Sequence, residues 1–153
     1  LMNKSNTNVQ NTNTVFIGAS AAGLANAACL IKKNIDFVIL EKASHVANNW
    51  RNHYERLHLH TYKSSSHLPY KKFPKNVAEH PSRLQVIDYF EDYCKTMKIS
   101  PKFNTLVEGT EFIDGFWITK TNNQTYKSKN LIITMTSIIW PGYQYRYQEF
   151  QYF

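Results

Sequence analysis

Gly18-x-Ser20-x-x-Gly23 is the most informative spacing in the chain, and Glu41 is its natural companion. The glycine motif follows the apolar run Thr14-Val15-Phe16-Ile17 and opens a stretch, residues 24–33, that reads as a helix with small residues on one face. Asp36-Phe37-Val38-Ile39-Leu40 is a second apolar run, and Glu41 ends it. Each position has a physical task in holding a dinucleotide. Gly18 permits the tight turn, position 20 must let a diphosphate approach the backbone, and Gly23 lets the helix pack closely on the sheet. Backbone N–H groups at the helix start, at the positive end of its dipole, receive the diphosphate. Glu41 accepts from both ribose hydroxyls, which disfavours a 2′-phosphate there. Ser20 replaces the usual middle glycine, but its side chain is small and its hydroxyl can itself donate to phosphate. The spacing does not separate FAD from NAD.

These residues need a βαβ unit to position them, and the rest of the pattern supplies one. The expected fold class is α/β: a Rossmann-like βαβ domain with an added β-hairpin, incomplete as it stands. Residues 1–13 are dominated by Asn, Thr and Ser and read as a flexible tail, with Leu1 ahead of Met2 suggesting a fragment. Residues 45–80 hold all 6 His with little periodicity, and read as a long functional loop with short helical turns. Pro81-Ser82-Arg83 opens a helix running to about Lys98, with Pro101 as its stop. Residues 102–107 are a candidate strand. Residues 111–121 turn at Asn122-Asn123 into 125–129 as a hairpin, and 131–134 form a last buried strand. The domain is expected over 14–137, leaving 138–153 as an aromatic-rich tail of no clear period.

Composition narrows the function further. With 153 residues and 42% hydrophobic content, one domain with a sizeable core is expected, and a disordered chain is excluded. No apolar run approaches the roughly 18 residues of a spanning helix, and no secretory leader pattern is present. Cys29 and Cys94 are too few for a disulfide scaffold, so a reduced, cytoplasmic setting fits. The net charge of +7 can mean nucleic acid, an anionic membrane or an anionic cofactor, but the basic residues are scattered without a nucleic-acid-binding signature and read as a solvated basic surface. His58-x-His60 could pair on a metal, but no further ligands stand at convincing spacing. Gly18-Ala19-Ser20-Ala21-Ala22 is not a nucleophile elbow, because its closing glycine is absent.

Over residues 14 to about 134 the chain resembles the flavin-containing monooxygenases, especially their YUCCA-like and bacterial group-B members. The resemblance rests on Val15-Phe16-Ile17-Gly18-Ala19-Ser20-Ala21-Ala22-Gly23-Leu24-Ala25 and Phe37-Val38-Ile39-Leu40-Glu41-Lys42. Asn49-Trp50-Arg51, Tyr54-Glu55-Arg56-Leu57-His58-Leu59-His60-Thr61, Leu68-Pro69, Phe73-Pro74 and Pro81-Ser82-Arg83 follow in order. It implies an FAD site. Gly18, Ser20, Ala21, Ala22 and Gly23 would hold the diphosphate, and Glu41 with Lys42 the adenosine ribose. Asn49 and Trp50 would lie beside the ribityl chain, and His60-Thr61 near the isoalloxazine, where many members have Asn-Thr. Val107 would present backbone groups to adenine. The implied activity is NADPH- or NADH-dependent oxygenation of a small molecule with O₂, through a flavin C4a-hydroperoxide.

Three departures accompany the resemblance. Asn48-Asn49 replaces the usual glycine pair before Trp50. Met135-Thr136-Ser137 stands where an Ala-Thr-Gly stretch is usual, and no second glycine motif follows. The chain therefore reads as the N-terminal, FAD-binding part of such an enzyme, inactive alone. The other readings are the NAD(P)-binding domain of a different oxidoreductase and a non-catalytic dinucleotide-binding remnant. Substrate and oligomeric state are not legible.

Overall fold

The two apolar runs form adjacent parallel strands, one at the edge, of a mixed five-stranded sheet in the computed structural model, which describes residues 8–134. In chain order the elements are β1 (Val9–Ile17), α1 (Ala21–Lys32), β2 (Phe37–Leu40), α2 (Asn48–Arg51) and α3 (Lys63–Ser66). They continue with α4 (Arg83–Met97), β3 (Val107–Ile113), β4 (Phe116–Thr121) and β5 (Thr125–Ile133). The strand order is β2-β1-β5-β4-β3. β1 runs parallel to both β2 and β5, and the other two pairings are antiparallel. The α/β class and the βαβ unit are thus as the sequence suggests.

Alternation along β1 divides the core between the two faces of the sheet. Phe16 joins Leu24, Ala27 and Ala28 of α1, Ile39, and the α4 residues Val86, Tyr89, Phe90 and Tyr93 in the larger cluster. Val15 and Ile17 join Val38, Leu40, Val107 and Tyr126 in the smaller one. Ser82 caps α4 in a capping box with Gln85. The helix ends before Pro101 is reached. Lys98 adopts a left-handed conformation (φ 56°), and Ile99 N–H donates back to Cys94 O at 2.9 Å.

Several boundaries differ from the sequence reading, each for a local reason. β1 begins at Val9, so residues 9–13 are strand and not tail. This polar stretch is held by its backbone ladder to β5, from Val9↔Thr125 onward, and by Gln124 Nε2 donating to Gln10 Oε1 at 2.9 Å. Burial is not required there. The stretch 111–121 is two strands, because Asp114-Gly115 turns with positive φ at both residues, the conformation an Asp-Gly hairpin favours. The candidate strand at 102–107 reduces to a bridge from Lys102 to Leu40, since Asn104 (φ 52°) bends the chain. Residues 125–129 and 131–133 form one strand, β5, paired to β1 along its length. The expected tail 138–153 and the departure at 135–137 lie outside the described residues. Among the described residues, no helix is long and apolar enough to cross a membrane, and no group of three or more His, Cys, Asp or Glu could hold a metal.

Candidate functional site

At the carboxyl ends of β1, β2 and β5 the chain turns through Gly18 and enters α1. Gly18 has φ 100°, a conformation L side chains rarely adopt. Ser20 is the N-cap of α1, its Oγ accepting from Gly23 N–H at 3.3 Å. That leaves its hydroxyl proton free to donate. Ala21 and Ala22 are exposed in the first turn, which carries no acidic residue. Within the described residues nothing accepts from the backbone N–H groups of Ser20, Ala21 or Ala22. These three donors, at the positive end of a 12-residue helix, are of the kind that can receive an anion. A Cβ on Gly23 would stand 2.6 Å from Gly18 O and 2.8 Å from Thr134 Oγ1, so close packing demands glycine there.

Glu41 meets this turn directly. One carboxylate oxygen accepts from Ala19 N–H at 2.8 Å and the other from Ala43 N–H at 2.8 Å. Each carboxylate oxygen has room for a second hydrogen bond, so ribose hydroxyls remain within its capacity. Its main chain also anchors the segment leading to β3: Glu41 N–H donates to Lys102 O, and Thr105 N–H donates to Glu41 O, both at 2.9 Å. Val107, buried at the start of β3, follows two residues later. Lys42 is exposed.

The remaining candidates sit on loops fastened to α4. Trp50, in α2, packs half-buried against the larger core cluster. Arg83 Nη1 donates to Arg51 O at 2.9 Å and to Trp50 O at 3.4 Å, and Arg51 pairs with Glu91 of α4. Asn49 is exposed on α2. His60 and Thr61 are also exposed, Thr61 Oγ1 bonding Ser66 Oγ at 2.5 Å. Their approach is fixed by Arg83 N–H donating to Leu57 O and Leu59 N–H donating to Pro81 O, both at 2.8 Å. Among the described residues no hydrogen bond joins His60 or Thr61 to the glycine turn.

Three aromatic groups clamp the next part of the loop. Tyr89 Oη accepts from Leu68 N–H at 2.7 Å and donates to Lys71 O at 2.6 Å, while Tyr93 Oη donates to Pro69 O at 2.9 Å. Phe73 stacks on Tyr89 with ring centroids 3.9 Å apart. Burial pushes both phenols above their ordinary value, and it pushes the Cys94 thiol up to about 11. On the far side of α1, Asp36 accepts from Asn13 N–H and Thr12 Oγ1, and these bonds hold its carboxyl below the usual value.

The structure therefore joins Gly18, Ser20, Ala21, Ala22, Gly23 and Glu41 in one place and ties the path to Val107 onto Glu41. It gathers Trp50 and the approach to His60 around Arg83. Sequence reasoning missed Arg83 and Thr134. Thr134 could have been noticed as a polar residue ending an apolar strand, but its contact with the turn depends on the β1–β5 register. A separate cleft of about 370 Å³, lined by Leu30, Ile35, Trp117 and Leu131 among others, shares no residue with this site.

A family model described as pyridine nucleotide-disulphide oxidoreductase matches residues 15–141. The chain is 43% identical over 110 residues to a probable indole-3-pyruvate monooxygenase, YUCCA8, of Arabidopsis thaliana, covering 70% of this chain and 26% of that protein. It thus spans about a quarter of that relative's length. Among solved structures, a bacillithiol disulfide reductase from Staphylococcus aureus superposes with a TM-score of 0.76 at 20% identity, covering 81% of this chain and 38% of the other. A flavin-containing monooxygenase from Stenotrophomonas maltophilia gives 0.75 at 18% identity, covering 82% and 38%. At those identities the likeness establishes a shared Rossmann-like fold and nothing beyond it.

Proposed function

We propose, for a chain that belongs to the pyridine nucleotide-disulphide oxidoreductase family on its flavin monooxygenase side, that the glycine turn and Glu41 hold FAD as part of an NAD(P)H-dependent monooxygenase. The observation that carries this reading is the set of N–H donors of Ser20, Ala21 and Ala22 that no described residue accepts from, 12 residues of helix behind them, with Glu41 fastened at Ala19. FAD fits this set: its diphosphate needs the donors and its ribose needs an acceptor pair at the end of β2. When bound, the flavin supplies the redox chemistry between NADPH or NADH, O₂ and a small-molecule substrate.

The chain's own contribution is binding and orientation. Ser20 Oγ keeps Gly23 N–H while its proton is donated to a phosphate oxygen. Glu41 accepts from the adenosine ribose, Lys42 adds positive charge beside it, and backbone groups at Val107 meet adenine. Asn49 and Trp50 flank the ribityl chain, with Arg83 fixing the main chain that carries them. His60 and Thr61 offer polar atoms toward the isoalloxazine. None of these groups is placed as a covalent nucleophile. Both cysteines are free thiols, in keeping with the reducing, cytoplasmic setting of this proposal.

Titration of the purified 153-residue chain with FAD and with NAD, followed by flavin fluorescence and by calorimetry, tests the reading. FAD is expected to bind at least tenfold more tightly. Tighter binding of NAD would transfer the site to the NAD(P)-binding alternative, and binding of neither would leave a dinucleotide fold without its ligand.

A further inference from the structure

Two successive peptide groups in the glycine turn are gripped at both ends. In the Ile17–Gly18 peptide, the carbonyl accepts from Thr134 N–H at 2.9 Å and the N–H donates to Leu40 O at 2.8 Å. That grip is main chain to main chain, and any residue but proline at position 134 would supply it. In the Gly18–Ala19 peptide, the carbonyl accepts from Thr134 Oγ1 at 2.7 Å and the N–H donates to Glu41 at 2.8 Å. Here both grips are side chains. One comes from the end of β5, 116 residues along the chain, and the other from the end of β2.

We propose that Thr134 is a positioning residue for the dinucleotide turn. Its hydroxyl fixes the plane of the Gly18–Ala19 peptide, and through it the aim of the N–H donors at Ser20, Ala21 and Ala22. This inference rests on the FAD reading for its consequence but not for its geometry. Gly18 is the turn's freest joint, because glycine populates positive and negative φ with equal ease. Turning over the peptide after it would direct the Gly18 carbonyl toward the Glu41 carboxylate, setting lone pairs against lone pairs. The anchored plane instead gives Glu41 a donor and gives the carbonyl a proton.

The assignment of the hydroxyl proton is settled by distance and by competition. Ile17 O lies 3.2 Å from Thr134 Oγ1 and already receives Thr134 N–H, whereas Gly18 O is nearer, at 2.7 Å. Thr134 is buried at 9% exposure, so water is a poor substitute donor. The Gly23 clearance belongs to the same device. A Cβ there would strike both members of the bond, Gly18 O at 2.6 Å and Thr134 Oγ1 at 2.8 Å. Glycine at 23 thus makes room for the lock as well as for helix packing.

The test compares Thr134→Val, which keeps the shape and removes the donor, with Thr134→Ser, which keeps the donor. FAD affinity and backbone amide exchange without FAD are the two readouts. Thr134→Val is expected to weaken FAD binding about tenfold or more, as befits a half-buried carbonyl left without its donor. It should also speed exchange at Ala19 and Ser20 while leaving α4 unchanged. Thr134→Ser should stay within about twofold of the parent in both. Should the valine variant fail to fold, Thr134→Ala is compared with Thr134→Ser in the same way. Equal exchange and equal affinity in the valine or alanine variant and the parent would overturn the proposal. If the parent binds no FAD, the flavin reading fails, and the exchange comparison alone decides for or against the lock.

Discussion

The turn at 18–23 is gripped at the ends of two strands, by Leu40 O and by the side chains of Thr134 and Glu41, whereas the stretch from 42 to 82 takes its side-chain anchors from α4. The first region uses Leu40 O, Thr134 N–H and the register of three parallel strands, with two side chains added. The second uses Arg83, Glu91, Tyr89, Tyr93 and the Lys71–Asp92 pair at 2.6 Å. A turn held at strand ends has few anchors, and the register of the sheet fixes each of them. A side-chain-held loop can be released one anchor at a time. The diphosphate end of the site is therefore the rigid end, and the end carrying His60 and Thr61 is the one individual residues can loosen.

Gly23→Ala breaks the comparison most severely. The added Cβ meets main-chain oxygen at 2.6 Å, so the rigid region has nothing flexible to yield. Destabilisation of about 1–3 kcal/mol is expected, with loss of FAD retention. Gly115→Ala is the control. Unlike the helical Gly23 it has positive φ, at 80°, but its Cβ would meet nothing within 4 Å. It should cost about 1 kcal/mol through backbone strain and leave FAD binding intact. Urea midpoints and flavin titration of the two variants read the difference. Equal loss of FAD in both would show that general destabilisation, not the turn, removes the cofactor.

Tyr89→Phe tests the other region at a single anchor. The ring and its stack on Phe73 are kept, but Leu68 N–H loses its acceptor and Lys71 O its donor. The expected cost is about 1–3 kcal/mol, since a buried donor is left unmade. Amide exchange should accelerate across 62–75 while residues 16–24 keep their protection. Uniform acceleration across both regions would mean that turn and loop open as one unit, and the distinction drawn between them would fall.

The same division explains what could be read from the sequence. The turn and its flanking strands were legible because strand, glycine spacing and Glu41 are local patterns with fixed periods. The helix from Ser82 was legible because a capping box is local too. Residues 9–13 misled because their partners on β5 lie more than a hundred positions away, and a polar strand leaves no hydrophobic period. The Asp114-Gly115 turn was written plainly but lay inside a stretch whose apolar residues read as one strand. The contacts of Thr134 and Arg83 could not be read, although both residues stand at visible element ends. Each acts on main-chain carbonyls of another segment, and no spacing records such a contact.

The mildest perturbation sharpens the comparison without any substitution. Cys94, Tyr89 and Tyr93 all lie on α4, and burial raises the proton affinity of each in the folded chain. In the unfolded chain the thiol ionises near 9.0, against about 11 when folded. The phenols of the unfolded chain ionise near 10.0, below their folded values. A group whose pKa rises on folding contributes stability that is complete below its unfolded value and disappears as pH climbs through its folded one. The FAD-free chain should therefore hold its stability up to about pH 9 and lose it progressively above. In Cys94→Ala the decline should begin nearer pH 10, where only the phenols remain to drive it. Because the two phenols hold the loop and not the turn, exchange at 62–75 should rise before exchange at 16–24. Urea midpoints against pH, with tyrosinate absorbance recorded alongside, give the measurement. A flat profile to pH 11 would mean that the α4 groups ionise as freely in the folded chain as outside it, and that the loop is not held in the way their burial implies.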